Sequence, residues 1–209
     1  MKDRYITVEK CGIAETIEKR SRFIATASPV SSEDEALKIL SELRQKYWNA
    51  THNVYAYIIE ENNIARYSDD GEPSGTAGVP VLDMLKKEGL TNIIVVVTRY
   101  FGGVLLGTGG LVHAYSKSAK AGVEAAKRLE MILCREIKII CEYTLLGKIQ
   151  NELAKWDLIQ GDIIYSENVE LSLFLPIKTA DEFIESITDK TNATAKILST
   201  NHELWKHMS

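Results

Sequence analysis

Arg66-Tyr67-Ser68-Asp69-Asp70-Gly71-Glu72-Pro73-Ser74-Gly75-Thr76-Ala77-Gly78-Val79-Pro80 opens the stretch on which this chain turns, and Thr98-Arg99-Tyr100-Phe101-Gly102-Gly103-Val104-Leu105-Leu106-Gly107-Thr108-Gly109-Gly110-Leu111-Val112 closes it. Between the two lies Asn92-Ile93-Ile94-Val95-Val96-Val97, a short apolar run rich in β-branched residues. Such a run reads as a buried strand. Most of the 13 glycines fall between Gly71 and Gly110. Glycine is needed where φ is positive or where another group approaches the backbone closely. The function is therefore sought here.

On the N-terminal side, Tyr5–Val8, Cys11–Ala14 and Ser21–Thr26 read as strands. Lys19-Arg20-Ser21-Arg22 reads as a solvated, edge-protecting charge run, the alternative being a phosphate contact. Ser32 with Glu35 forms a capping box, and Ala36, Leu37, Ile39, Leu40, Leu43 and Tyr47 follow at helical spacing. His52–Ile59 alternates as a strand, Asn62-Asn63 is a hairpin turn, and Ile64–Tyr67 returns. Val81–Lys87 is a short helix that Gly89 stops. Gly110–Arg128 is an alanine-rich helix with Leu111, Val112, Tyr115, Ala119 and Val123 on one side.

The character changes near Met131. Strand (Ile132–Cys141), helix (Leu145 to Trp156), strand (Leu158–Tyr165), strand (Val169, Leu171, Leu173 and Leu175 alternating), helix and strand (Ala193–Thr200) follow in order. Thr179 and Glu182 supply a capping box for the second helix of this part. The order β-α-β-β-α-β is the ferredoxin-like pattern. The expected organisation is α+β, with one domain over residues 1–130 and a second over residues 131–209.

The totals are those of an ordinary globular protein, 45% hydrophobic and 26% charged. The formal charge of −4 falls in the second part, since residues 1–130 balance 17 basic against 17 acidic side chains. Neither part is the strongly basic body of a non-specific nucleic-acid binder. There is no apolar run of the roughly 20 residues a membrane helix needs, and no secretory signal is visible. Cys11, Cys134 and Cys141 lack CxxC spacing, so packed thiols in a reducing, cytoplasmic setting are expected, with no metal and no cofactor.

Four chemistries can be tested on the central stretch. A Walker A loop needs Gly-Lys-Ser/Thr, and Gly107-Thr108-Gly109-Gly110-Leu111 has no lysine. A Rossmann fingerprint needs a third glycine, where Val112 stands. A glycine-rich loop entering a helix N-terminus does present free N–H groups and the positive end of the helix dipole. Arg99, Thr108, Gly109 and Gly110 are therefore candidates for a phosphate-like anion or RNA phosphate, with His113 as a weak ligand on the first helical turn. The alternative is that these glycines only turn the chain. Acid–base or metal chemistry by His52, Asp69, Asp70 and Glu72 competes with a structural reading, because Asp-Asp-Gly-Glu-Pro is strong turn chemistry. His202 and His207 are expected to be exposed in the tail.

Taken together, Arg66-x-Ser68-Asp69-Asp70-Gly71-Glu72-Pro73-Ser74-Gly75-Thr76-Ala77-Gly78, Val97–Gly103 and Leu106–Val112 resemble the YigZ/IMPACT family. Ser21–Ala25 and His52-Asn53-x-Tyr55-Ala56 also fit its N-terminal pattern, so the resemblance covers roughly residues 1–130. It implies an N-terminal domain of the fold shared by elongation factor G domain IV and the GHMP kinases. It also implies a C-terminal domain similar to the last domain of elongation factor G. Eukaryotic members regulate translation, in the pathway that activates the amino-acid-starvation kinase, and the family carries no settled catalytic role. Members often have Arg or Lys after Gly-Gly-Leu-Val, where this chain has His113. The expectation is a non-catalytic regulator that binds ribosome, RNA or a translation-associated protein through a face bearing Arg66, Arg99 and the Gly107–Gly110 loop. His52, Ser68, Asp69, Asp70, Glu72, Ser74 and Thr76 are motif residues without an assigned role. The alternatives are a phosphate- or nucleotide-binding enzyme using the same loop with Asp69 and Asp70, and a protein–protein adaptor.

Overall fold

A computed structural model describes residues 3–207, the side chains of residues 200–202 excepted; His202 lies outside the described side chains. The architecture is α+β, in two compact units, residues 5–129 and residues 130–209 with the first four.

In the first unit, which holds all of β1 (Arg4–Val8) but its first residue, β1 precedes a five-stranded antiparallel sheet of β2 (Gly12–Glu18), β3 (Ser21–Pro29), β4 (His52–Ile59), β5 (Ile64–Ser68) and β6 (Ile93–Tyr100). The strand order is β2-β3-β6-β4-β5. β6 is central and buried along almost its whole length. Its residues divide between two cores. Ile93, Val95 and Val97 share a cluster with Val81 and Leu85 of α2 (Gly78–Lys87) and with Leu111, Tyr115 and Val123 of α3 (Gly107–Ala126). Ile94 and Val96 share one with Ala36, Leu40 and Leu43 of α1 (Glu33–Lys46). Helices on both faces explain why the strand reads as an unbroken apolar run rather than an alternating one. Each fully buried Val or Ile contributes roughly 1.5–3 kcal/mol.

α3 lies hard against β3. A Cβ on Gly122 would come within 2.9 Å of the Ala25 Cβ and 3.3 Å of its carbonyl oxygen. Glycine in mid-helix costs propensity, and here it allows that approach. Of the stripe expected on α3, Val112 is 39% exposed, while Leu111, Tyr115, Ala119 and Val123 are buried.

Several boundaries differ from the sequence reading, each for a local reason. β6 continues through Thr98, Arg99 and Tyr100 because its polar side chains find partners, among them Thr98 Oγ1 donating to Asn53 Oδ1 at 2.8 Å. α2 starts at Gly78 and takes Pro80 into its first turn, where the missing N–H has no helical partner to lose. α3 starts three residues earlier than expected and ends at Ala126, where Lys127 has φ 59°. Ser32 caps α1 as expected, accepting from Glu35 N–H at 3.2 Å. The Glu35 carboxylate also accepts from the Ser31 N–H at 2.7 Å and from its hydroxyl at 2.9 Å.

The second unit runs β7 (Arg128–Cys141), α4 (Tyr143–Leu153), β8 (Ile159–Tyr165), β9 (Val169–Pro176), α5 (Ala180–Lys190) and β10 (Lys196–Lys206). The expected βαββαβ order is present, with β10, β7, β9 and β8 adjacent in that sequence and antiparallel. Val169, Leu171, Leu173 and Leu175 bury on one face against Ile149, Phe183 and Ile187. Two details correct the sequence reading. Thr179 stands at the start of α5, but its hydroxyl donates to the Pro176 carbonyl, not to a capping box. The last strand begins at Lys196 because Asn192 and Ala193 take positive φ (51° and 56°) in leaving the helix. Among the described residues no helix is long and apolar enough to cross a membrane.

Candidate functional site

The two glycine-rich stretches meet at one end of β6. Asp69 organises the first of them. Its carboxylate accepts from the backbone N–H groups of Gly75 (2.9 Å), Ala77 (3.0 Å) and Gly78 (2.8 Å), capping α2 from nine residues upstream. Asp70 accepts from Asn53 N–H at 2.6 Å and from Arg44 at 3.1 Å, while its own N–H donates to Ser68 Oγ. Thr76 donates to the Pro73 carbonyl at 2.7 Å, and Ser74 is exposed. The aspartates of the turn thus hold backbone, which is what Asp-Asp-Gly-Glu-Pro chemistry provides.

Glu72 is set apart from them, because the turn drives its side chain inward. Its Oε1 lies 2.5 Å from Arg99 Nη1 and accepts from the Tyr115 hydroxyl at 2.8 Å. Both members of the ion pair are buried, with side-chain exposures of 4% and 6%. Arg99 Nη2 donates to Ser21 Oγ at 3.2 Å, and the guanidinium carbon lies 5.4 Å from the Phe23 ring centroid and 5.6 Å from that of Phe101. Burial, and then the Glu72 charge, push the Tyr115 phenol far above its ordinary range, so it acts as a fixed donor. Gly102 completes the corner: a Cβ there would lie 2.1 Å from the Arg20 carbonyl, and the Gly102 N–H donates to Ser21 Oγ.

His52 faces the same carboxylate. Its Nδ1 is 2.8 Å from the Asp70 carbonyl, which can only accept, so Nδ1 carries the proton. Nε2 then points toward Glu72 Oε1 at 3.6 Å. Above this floor opens a cleft of about 420 Å³. His52, Glu72, Arg99, Thr51 and Thr108 are its polar lining, and Pro73, Phe101, Leu105, Leu106 and Leu111 its apolar wall. The start of α3 forms one side, with Gly107 in the lining and no side-chain cap on the helix.

The residues expected to share one anion-binding face are therefore divided. Arg99 and Thr108 reach the cleft, but Arg99 is enclosed and paired rather than offered to solvent. Gly109 is exposed beside it, and Gly110 packs on Leu106. Arg66 is exposed on β5, opposite Tyr57, and donates to the Ala65 carbonyl. His113 lines a different groove of about 630 Å³ between α2 and α3, with Lys87, Lys117 and Lys120. His207 is exposed. Among the described residues no group of three or more His, Cys, Asp and Glu is arranged to hold a metal ion.

Sequence reasoning missed Tyr115, Ser21, Thr51 and Phe101 as parts of this site. Tyr115 carried a signal, since a tyrosine within an apolar helical stripe needs an acceptor for its hydroxyl. The others are brought in by β3 and by the loops flanking β6, which no local pattern links.

The Impact N-terminal domain family matches residues 19–123, the part that contains every element of this network. The chain belongs to the IMPACT family. A second family, a domain of unknown function (DUF1949), matches residues 139–194. IMPACT family member YvyE of Bacillus subtilis is 45% identical over 92% of this chain and 89% of its own. IMPACT family member YigZ of Escherichia coli is 32% identical over 87% of this chain and 90% of its own. Protein IMPACT of Rattus norvegicus is 36% identical over 46% of this chain and 32% of its own, so that IMPACT likeness is confined to about half of the present chain. A crystal structure of a hypothetical protein superposes with a TM-score of 0.61, at 28% identity, covering 97% of this chain and 100% of that one.

Proposed function

We propose that this IMPACT family chain is a non-catalytic regulator of translation that binds ribosome, RNA or a translation-associated protein with the cleft end of its first unit. One observation carries the reading. Around the cleft, large apolar and aromatic side chains stand in solvent beside exposed basic ones. Trp48 is 81% exposed, Leu105 83% and Phe101 47%. Asn49 and Thr51 tie the Trp48 turn to Tyr100 and Phe101 through hydrogen bonds of 3.0 and 3.1 Å. Arg22 stacks over the Tyr100 ring at 4.8 Å, and exposed Lys19 and Arg20 adjoin it at the tip of the β2–β3 hairpin. Exposed aromatics interleaved with arginine and lysine suit an anionic partner with planar groups.

The enzyme reading, with Asp69 and Asp70 serving a phosphate loop, is less well supported because both carboxylates already accept backbone N–H groups. Ribosome co-sedimentation at low and high salt tests the proposal, comparing the native chain with Trp48→Ala and with Arg20→Ala/Arg22→Ala. These side chains are exposed, so the variants keep the fold. The native chain is expected to pellet with ribosomes at low salt, and the variants and high salt to release it. Absence of pelleting by the native chain at low salt overturns the ribosomal reading.

A further inference from the structure

We infer that the groove between α2 and α3 receives an acidic amphipathic helix of a partner protein. The apolar side of that helix would rest on Met84 and Val112, and its carboxylates on Lys87, Lys117 and Lys120. The groove shares no lining residue with the cleft, and the inference goes beyond the proposed function.

Spacing builds the groove. Val79, Asp83 and Lys87 recur every four residues along α2, and Val112, Ser116 and Lys120 do so along α3, so each set lies on one side of its helix. The opposite sides are anchored: Val81 and Leu85 of α2, and Leu111 and Tyr115 of α3, share one core with β6. The Ser116 hydroxyl donates to the Pro80 carbonyl at 3.4 Å and ties the two walls together. Two helices backed by one sheet make a preformed groove, which spares a partner the cost of ordering it. From Val79 to Lys87, and from Val112 to Lys120, each wall runs about 12 Å, roughly two turns of a docked helix.

Floor and rim differ in kind. Val112 is 39% exposed at the groove, and Met84 lies in its floor. A branched apolar side chain held in solvent beside a methionine, which adapts its shape, suits an apolar contact from a partner. On the rim stand Lys87, Lys117 and Lys120, all exposed. The carboxylates among them are Asp83 and Glu88, and Glu88 is engaged by Arg128 at 2.6 Å. The local surplus is therefore positive, on a chain whose formal charge is −4. An apolar floor flanked by lysines complements a helix with apolar residues three and four apart and carboxylates on its flanks.

RNA fits less well. Among the described residues lining the groove there is no Phe, Tyr or Trp on which a base could stack. Asp83 and Glu88 also interrupt the lysines where a continuous phosphate backbone would run. A peptide helix can set a basic or neutral side chain opposite Asp83 and take its direction from it.

Fluorescence anisotropy with labelled synthetic peptides and the full chain tests this. A helical peptide of about 15 residues carries leucines three and four apart and glutamates on the flanks. One control has lysine for every glutamate, and the other has serine for every leucine. The acidic leucine peptide is expected to bind at least roughly tenfold more tightly than either control. Lys87→Glu/Lys117→Glu, at exposed positions, should lose that peptide and gain its lysine control, a reversal that loss of folding cannot produce. Val112→Asp should weaken the acidic peptide at least roughly tenfold with the circular dichroism unchanged. Equal binding of the acidic peptide and either control, no binding at about millimolar concentration, or an unreversed preference in the charge-reversed variant overturns the inference. So does single-stranded oligouridine that displaces the acidic peptide and fails to bind the Lys87→Glu/Lys117→Glu chain, which assigns the groove to RNA phosphate instead.

Discussion

Glu72 and Arg99 hold each other inside the first unit, Oε1 to Nη1 at 2.5 Å, and in doing so they join the Asp69–Gly78 loop to the central strand. Both charges are almost wholly buried. Removing one partner of such a pair leaves the other buried and uncompensated, at about 3–5 kcal/mol. Arg99→Ala and Glu72→Ala are each expected to lose stability in that range by urea denaturation. Glu72→Gln/Arg99→Met, which removes both charges and keeps volume, should lose less than the two single losses combined. Additive losses would show that the two side chains act separately.

Asp69 supports the same loop without entering the cleft. It satisfies three backbone N–H groups, two of them at the start of α2, where the N-cap residue Ala77 has no side chain to do so. Hydrogen bonds to a charged group are worth about 1.5–3 kcal/mol, and loss of a cap typically costs about 1 kcal/mol. Asp69→Ala is expected to destabilise by about 2–3 kcal/mol in urea, with Asp69→Asn in between. Faster amide hydrogen exchange at Ala77 and Gly78 should accompany the loss. An unchanged exchange rate there would remove Asp69 from the capping role.

Much of this was legible in the sequence, and the limits are physical. Ile93–Val97 declared a strand covered on both faces because no polar residue interrupts it, and Ser32 with Glu35 located the start of α1. The βαββαβ order of the second unit followed from period alone. The candidate site was legible only as a neighbourhood. Arg99 in a glycine-rich context looks like a phosphate ligand, and nothing local reveals that a carboxylate 27 residues away is folded onto it. Arg66 and His113 lie close in sequence to the cleft residues, yet β5 and the rotation of α3 carry them elsewhere. Helical periodicity likewise assigned Val112 to the core, one position outside the buried arc.

The cysteines divide by burial. Cys134 and Cys141 lie in the second unit, and burial pushes both thiols up. Cys11 is exposed, against the expectation of packed thiols. The thiolate is the reactive form. In the folded chain a thiol reagent near neutral pH should therefore modify Cys11 alone, with Cys134 and Cys141 reacting only after denaturant is added. Peptide mass mapping after timed labelling checks this, and early modification of Cys141 would contradict its burial in the core of the second unit.

Glu88, just past α2, forms an acid-sensitive link. Its Oε2 lies 2.6 Å from Arg128 Nη2, and its Oε1 3.8 Å from Lys120 Nζ. The Arg128 hydrogen bond, and then the charge of that guanidinium, hold the Glu88 carboxyl below its usual range. The folded chain thus keeps this group ionised at pH values where the unfolded chain has begun to protonate it. Its contribution is present above the ordinary glutamate range and is lost as pH falls through the lowered folded value. Glu88→Gln is expected to lower the urea midpoint at about pH 7, and the deficit should shrink as pH falls below the ordinary glutamate range and through the lowered folded value. Arg128→Ala should show the same pattern, because it removes the other half of the bridge. A deficit that stays the same size throughout the acid range would mean that Glu88 acts through packing around α2 rather than through its charge.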